Sequence, residues 1–226
     1  MSETGRQSAR RRQWHGDDVR AMAALVGDYG MAVGVDKSES MIAEACRRSS
    51  GQSLPLQFQV SEAEQLMWDS SYFDACRADR LLQHVPDPVR VFHEIVRVLK
   101  PGGCLVITDR DWGMVAIDSS DEHVTKIVLD RAAADIRNGW MGRRLYRLFR
   151  RAGLVDICVQ THSICVHSFE AADGLLDLGT VAEHVVTAGL VSRRAVDVWL
   201  EGLLRRDQYG EFFVTITVFV VAGRKC

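Results

Sequence analysis

Two acids, Asp36 and Glu62, stand where short apolar runs end, and acids in that place can hold the polar edges of a nucleotide. Asp36 closes MAVGVD and Glu62 follows LQFQV in the stretch SEAEQL. An acid between a strand and a helix can accept hydrogen bonds from both hydroxyls of a ribose. The structural alternative for Asp36 is a helix cap. Glu62 can accept from an adenine amino group, or it is a solvated loop acid. His84, in LLQHVPD, can take a proton near neutral pH. A turn histidine that only packs or hydrogen-bonds is its alternative, and His93, His123 and Tyr146 have no better claim. Gly16, ahead of the helix-like DDVRAMAALV, occupies the place of a glycine in a nucleotide-binding turn, where backbone must approach a ligand.

Composition sets the frame in which those residues act. With 226 residues the chain can bury a sizeable core as one domain, and 47% hydrophobic with 26% charged residues is ordinary for a globular protein. A net charge of -2 gives no global field for nucleic acid or an anionic membrane. The basic runs RQSARRR and RRLYRLFRR read as solvated faces. Six cysteines show no CxxC and no zinc-like spacing, so no metal site is expected. Cys76, Cys104 and Cys158 lie in strand-like runs, where free cysteine acts as a small buried hydrophobe. That pattern, with no apolar run of membrane-span length, leads to the expectation of a cytoplasmic protein.

The elements that must position the candidates alternate in type. A helix over GDDVRAMAALVG turns Val19, Met22, Ala23 and Val26 to one face. MAVGVD is a buried strand, SESMIAEACRRS a helix capped by Ser38 with Met41, Ile42 and Ala45 inward, and strands follow at 56–60 and 71–79. Asp87 and Pro88 start a helix whose stripe is Val89, Phe92, Ile95, Val96 and Leu99, and KPGG stops it before the strand CLVITD. Helices are expected at 120–138 and 142–152, long strands at 155–166 and 212–223, and a mostly helical segment at 168–206. Strands separated by helices of this length imply an α/β fold with a largely parallel sheet, helices on both faces and an antiparallel edge strand. Ligands in such sheets bind beyond the carboxyl ends of the strands, here 36, 61–64, 77–80 and 109–112.

From Gly16 to about Gly223 the order and spacing of GVDKSESMIAEA, FQVSEAEQL and FDACRADRLLQHVPDPVRVFHEIVRVLKPGGCLVITD resemble the Rossmann-like, S-adenosylmethionine-dependent methyltransferases. The small-molecule branch that includes the quinone-biosynthesis C-methyltransferases is the most similar. The resemblance implies that Asp36 binds the ribose of S-adenosyl-L-methionine, that Lys37 and Met41 lie against the adenine, and that Glu62 and Ala63 read its edge. Ala78, Asp79 and Arg80 would line the methionine half, and Gly16 would belong to the cofactor turn. His84 would face the reaction zone as the candidate catalytic base, and the helices at 168–206 would form a lid. Trp112, Met114, Trp140, Met141 and Trp199 fall in loops and lids expected to cover the site, which suits a hydrophobic or aromatic acceptor. The implied activity is methyl transfer to a small molecule, with neither nucleic acid nor membrane as partner. An NAD-linked dehydrogenase, which also uses a ribose acid, is the competing enzyme class.

One family feature is missing. The glycine-rich turn should follow a central first strand, yet Arg10, Arg11, Arg12 and Gln13 cannot form one without leaving charges in low dielectric. Residues 1–15 therefore read as an atypical basic tail ahead of a methyltransferase domain at 16–226. Read one base later, arginine CGN codons become GNC codons for Asp, Val, Gly or Ala, and Trp14-His15 gives glycine. A one-base deletion near His15 would thus explain the lost first strand. The alternatives are a homodimer or strand-swapped oligomer that fills the gap, or a chain with weak or no cofactor binding that acts as a binding or scaffold protein.

Overall fold

The computed structural model describes residues 16–27 and 29–226. The basic tail and the shifted-frame expectation at 1–15 lie outside the described residues. The elements run α1 (Asp17–Ala23), β1 (Ala32–Asp36), α2 (Glu39–Ser49), β2 (Leu56–Val60), β3 (Phe73–Asp79), α3 (Pro88–Val98) and β4 (Leu99–Ile117). Then come α4 (Glu122–Asp135), α5 (Met141–Arg151), β5 (Val155–Val166), α6 (Phe169–Leu176), α7 (Leu178–Thr187), α8 (Arg193–Gln208) and β6 (Val214–Arg224). The span expected as one domain divides into two compact units, one ending at Ser70 and the other covering Ser71–Cys226.

In the first unit β1 and β2 pair in parallel, Asp36 opposite Val60. Helix α1 buries Val19 and Ala23 against this pair, with Ala32 completing a small core. The helix stops at Ala23, three residues short of the expected end, and Val26 is exposed. Helix α2 starts as its sequence requires: the Ser38 Oγ accepts from the Met41 amide at 3.4 Å, and Ile42 and Ala45 turn inward.

In the second unit the sheet order is β3-β4-β6-β5. β3 and β4 are parallel, while β6 runs against both β4 and β5. The antiparallel strand is thus not the edge, as expected, but sits inside, and β5 is the edge. Both faces of β5 are largely exposed, so Cys158 is not buried, and neither is Cys104. Asp87 caps α3 by accepting from the Val89 and Arg90 amides, both at 3.0 Å, which fixes the helix phase. In that phase Val91, Phe92, Ile95 and Val98 are buried, and Val89, expected inward, faces out. Phe92 meets Phe149 of α5 edge-on at 5.2 Å, and burying such a ring is worth roughly 1.5–3 kcal/mol.

β4 is far longer than the CLVITD run. It continues through Trp112 and Met114, with a break in its register against β6 between Asp111 and Ala116. Trp112 is therefore a strand residue, and with Trp199 it joins the largest apolar core, built from α4, α6, α7, α8 and the start of β6. Trp199 Nε1 donates to Thr125 Oγ1 at 2.8 Å, which satisfies the polar end of a buried indole. Met141 is buried in the first turn of α5. These three side chains are core, and only Met114 and Trp140 of the five expected near a site are exposed.

Candidate active site

The nucleoside-side candidates all belong to the first unit. Asp36 ends β1 half-buried, and its Oδ1 accepts from the Ser38 amide at 2.8 Å. It caps the turn into α2, and this does not consume the carboxylate, whose two oxygens offer several acceptor sites. Because the strands are parallel and in register, β2 ends at the same edge, where the Ser61 amide donates to the Asp36 carbonyl at 3.1 Å. Glu62 follows, exposed, and Ala63 is half-buried beside it. Lys37 is exposed, and Met41 is half-buried in the first turn of α2. Gly16 precedes α1 at φ 75°, and a Cβ there would lie 2.8 Å from the Phe58 ring. Only glycine meets both conditions, and the space a Cβ would take is filled by the protein's own Phe58 and Ala45.

The second unit carries the other candidates at the carboxyl end of β3, level with the middle of β4. Ala78 is buried opposite Ile107. Asp79 lies opposite Thr108, and the Arg80 amide donates to the Thr108 carbonyl at 2.7 Å. Arg80 takes φ 50°, a left-handed conformation that costs a non-glycine residue about 1 kcal/mol or more, and its Nε donates to Asp79 Oδ2 at 2.9 Å.

Behind them the turn at 81–85, which bears His84, is held from three sides. The Leu82 amide donates to Asp109 Oδ2 at 3.1 Å. Trp112 Nε1 donates to Gln83 Oε1 at 2.6 Å. Asn138, between α4 and α5, donates through Nδ2 to the Leu82 and Val85 carbonyls at 2.9 and 2.8 Å, and through its amide to the Gln83 carbonyl at 3.0 Å. His84 itself reaches the surface. The protein around its ring, then the charges of Arg110 and Arg80, hold its imidazole below the ordinary value. It is therefore largely neutral near pH 7, the form that can accept a proton.

Asp109 is fully buried, and its Oδ1 has no hydrogen-bond partner among the described residues. Burial pushes its carboxyl up to about 7, against the pull of the Leu82 and Gln83 amides. Asp111, equally buried, is fully engaged: Arg143 donates to it from Nε, from Nη2 at 2.7 Å and from its amide at 3.2 Å, and the Gly113 amide donates at 3.1 Å. Asp111 therefore fixes α5 to β4, and Asp109 holds the turn that bears His84. Asp109 lay within a strand end marked by the sequence, where the apolar run CLVITD stops. Gln83 and Asn138 carry no local signal, because their partners lie far away in the chain.

Residues 16–107 match the family described as "Methyltransferase domain". A 37.1 kDa protein in transposon TN4556 of Streptomyces fradiae is 34% identical over 214 residues, 92% of this chain and 59% of that protein. The ubiquinone biosynthesis O-methyltransferase of Coxiella burnetii is 38% identical over 82 residues, 36% of this chain and 35% of its own length. The chain thus spans less than two thirds of either relative. Among solved structures, the YcgJ protein of Bacillus subtilis shares the fold with a TM-score of 0.59 at 19% identity, over 86% of this chain and 82% of that one.

Residues 16–107 are thus similar to a methyltransferase domain, and the fold is the α/β fold of the solved structure.

Proposed function

We propose that this chain transfers a methyl group from S-adenosyl-L-methionine to a small molecule. The observation that carries the reading is the shared carboxyl edge of β1 and β2, where a half-buried acid, Asp36, stands beside the Ser61–Glu62 backbone. Ribose hydroxyls fit an acid held in that manner. Asp36 would hold the ribose, Glu62 and Ala63 the adenine edge, and Lys37 and Met41 its face. Ala78, Asp79 and Arg80 would hold the methionine end, and the unpartnered oxygen of Asp109 suits a donor nearby. The cofactor supplies a methyl group activated on a positive sulfonium. The residues of this chain then have to align an acceptor and exclude water. His84, held largely neutral, is the group that would take a proton from an acceptor that must lose one. Trp140 and Met114, both exposed, favour an acceptor with apolar or aromatic character. All six cysteines are free, which favours a reducing compartment such as the cytoplasm, and among the described residues no helix is long and apolar enough to cross a membrane.

One observation favours a second reading. No described strand pairs the β1-β2 sheet with the β3-β4-β6-β5 sheet, and the sequence ahead of Gly16 reads as a basic tail rather than as the expected first strand. In that case the protein binds cofactor feebly and acts as a binding or scaffold protein, or gains the strand from a second copy. Incubation of the full chain with methyl-labelled S-adenosylmethionine and a panel of phenols, amines and aromatic acids separates the two. Label in an acceptor, lost in His84→Ala or Asp36→Ala, supports methyl transfer. No label in any acceptor, with the cofactor unbound, supports the second reading.

A further inference from the structure

The middle of β4, just past the level where β3 ends, carries a cation whose Nε has no partner among the described residues. Arg110 follows the buried Asp109, is itself half-buried, and lays its guanidinium over the Trp112 ring, 5.4 Å from the centroid. Its Nε is buried and has no hydrogen-bond partner among the described residues, and no ion pair forms there. The neighbouring cation is already used, since Arg80 donates to Asp79. Asp109 turns one oxygen to the Leu82 amide and acts on Arg110 only through space.

Charges around this point do not cancel. Arg80 and Arg110 are both cationic and depress the His84 imidazole together, while burial holds Asp109 toward its neutral form. One further acid, Asp79, is left to face two guanidiniums. Packing of the arginine stem and the ring contact with Trp112 are ordinary uses of a long side chain. They do not explain a dry, unbonded Nε, which costs free energy unless something pairs with it. A planar carboxylate meets that need, because its two oxygens match the parallel N–H bonds of a guanidinium fork. The place is right as well, two residues past the level at which the parallel neighbour β3 ends.

We propose that Arg110 is a carboxylate anchor, so that the ligand seated beside His84 carries a carboxyl group. The proposal rests on the methyltransferase reading for what the ligand undergoes, though not for the binding itself. Two molecules could bring that group: the acceptor, or the amino-acid end of the cofactor.

The test follows tryptophan fluorescence of the full chain while benzoate, or its neutral isostere benzamide, is titrated in. Each titration is run with and without saturating S-adenosylhomocysteine, for the native chain, Arg110→Met and Arg110→Lys. Benzoate is expected to bind at least about tenfold tighter than benzamide, the scale of one charge-assisted hydrogen bond. Arg110→Met should erase that preference while unfolding at a similar temperature, and Arg110→Lys should keep part of it. Benzoate binding that persists under S-adenosylhomocysteine assigns the anchor to the acceptor. Competition between the two, with weaker S-adenosylhomocysteine binding in Arg110→Met, assigns it to the cofactor. Equal affinity for the two probes, no binding of either, or an undiminished preference in Arg110→Met overturns the proposal. Benzoate discrimination without any binding of S-adenosylhomocysteine keeps the anchor and removes the methyltransferase reading.

Discussion

Replacing Asp109 by asparagine removes a charge that the second unit has to bury. The side chain has no exposed surface, and burial raises its carboxyl from 3.8 to about 7. In the unfolded chain the same carboxyl ionises near its ordinary value. Between roughly pH 4 and pH 7 the folded protein therefore binds more protons than the unfolded one, and stability falls as pH rises through that interval. Each pH unit is worth about 1.4 kcal/mol, which sets a ceiling of ~4 kcal/mol on the loss. Relaxation and water entry lower it, so about 2–4 kcal/mol is expected at pH 8. Asparagine keeps the shape and an oxygen for the Leu82 amide, but has no charge to desolvate. Asp109→Asn should thus gain about 2–4 kcal/mol over the native chain near pH 8 and nothing near pH 4. Urea unfolding followed by tryptophan fluorescence at about pH 4, 6 and 8 measures the difference directly. A difference that does not change with pH, or a variant destabilised throughout, refutes the reasoning.

Three further outcomes follow from the geometry. Asn138→Leu removes two donors from the Leu82 and Val85 carbonyls and should cost about 2 kcal/mol, with the largest amide shifts in NMR spectra at 81–85. Gly142→Ala would place a Cβ 2.6 Å from the Phe219 ring and 3.0 Å from the Asp111 amide, so α5 must move off the sheet. The expected loss is about 1–3 kcal/mol, seen as a lower melting temperature. Asp36→Ala should weaken S-adenosylhomocysteine binding by about tenfold or more in a calorimetric titration without lowering the melting temperature of Ser71–Cys226.

What the sequence made legible follows from which forces are local. Asp36, Ser38 and Asp87 announced themselves because caps and strand ends depend on neighbours in the chain: Ser38 and Asp87 cap their helices, and Asp36 accepts from the Ser38 amide, as the capping alternative requires. The apolar stripe of α3 was placed a little out of phase, and only the Asp87 cap geometry sets the turn that buries Val91 and Val98. Trp112 was read as a loop residue because the apolar run ends at Ile107. Pairing with β6 nevertheless carries β4 on as far as Ile117, and pairing across that distance leaves no local mark. For the same reason a tryptophan near a strand end was indistinguishable from one lining a pocket until its Nε1 was seen to bond Gln83. Asn138 and Gln83 were invisible because their role exists only in the folded turn, whereas Arg110 passed as one more charged residue past an apolar run. The inward place of β6 was equally hidden, since periodicity gives the presence of a strand but not its neighbours.

The central claim is that this chain holds S-adenosylmethionine through the Asp36 edge. Isothermal titration of the full chain with S-adenosylmethionine, repeated with NAD and with the Asp36→Ala variant, tests it most directly. The account expects a micromolar dissociation constant for S-adenosylmethionine, no heat with NAD, and a marked loss in Asp36→Ala. No heat with S-adenosylmethionine at millimolar concentration, or binding that Asp36→Ala leaves unchanged, contradicts it.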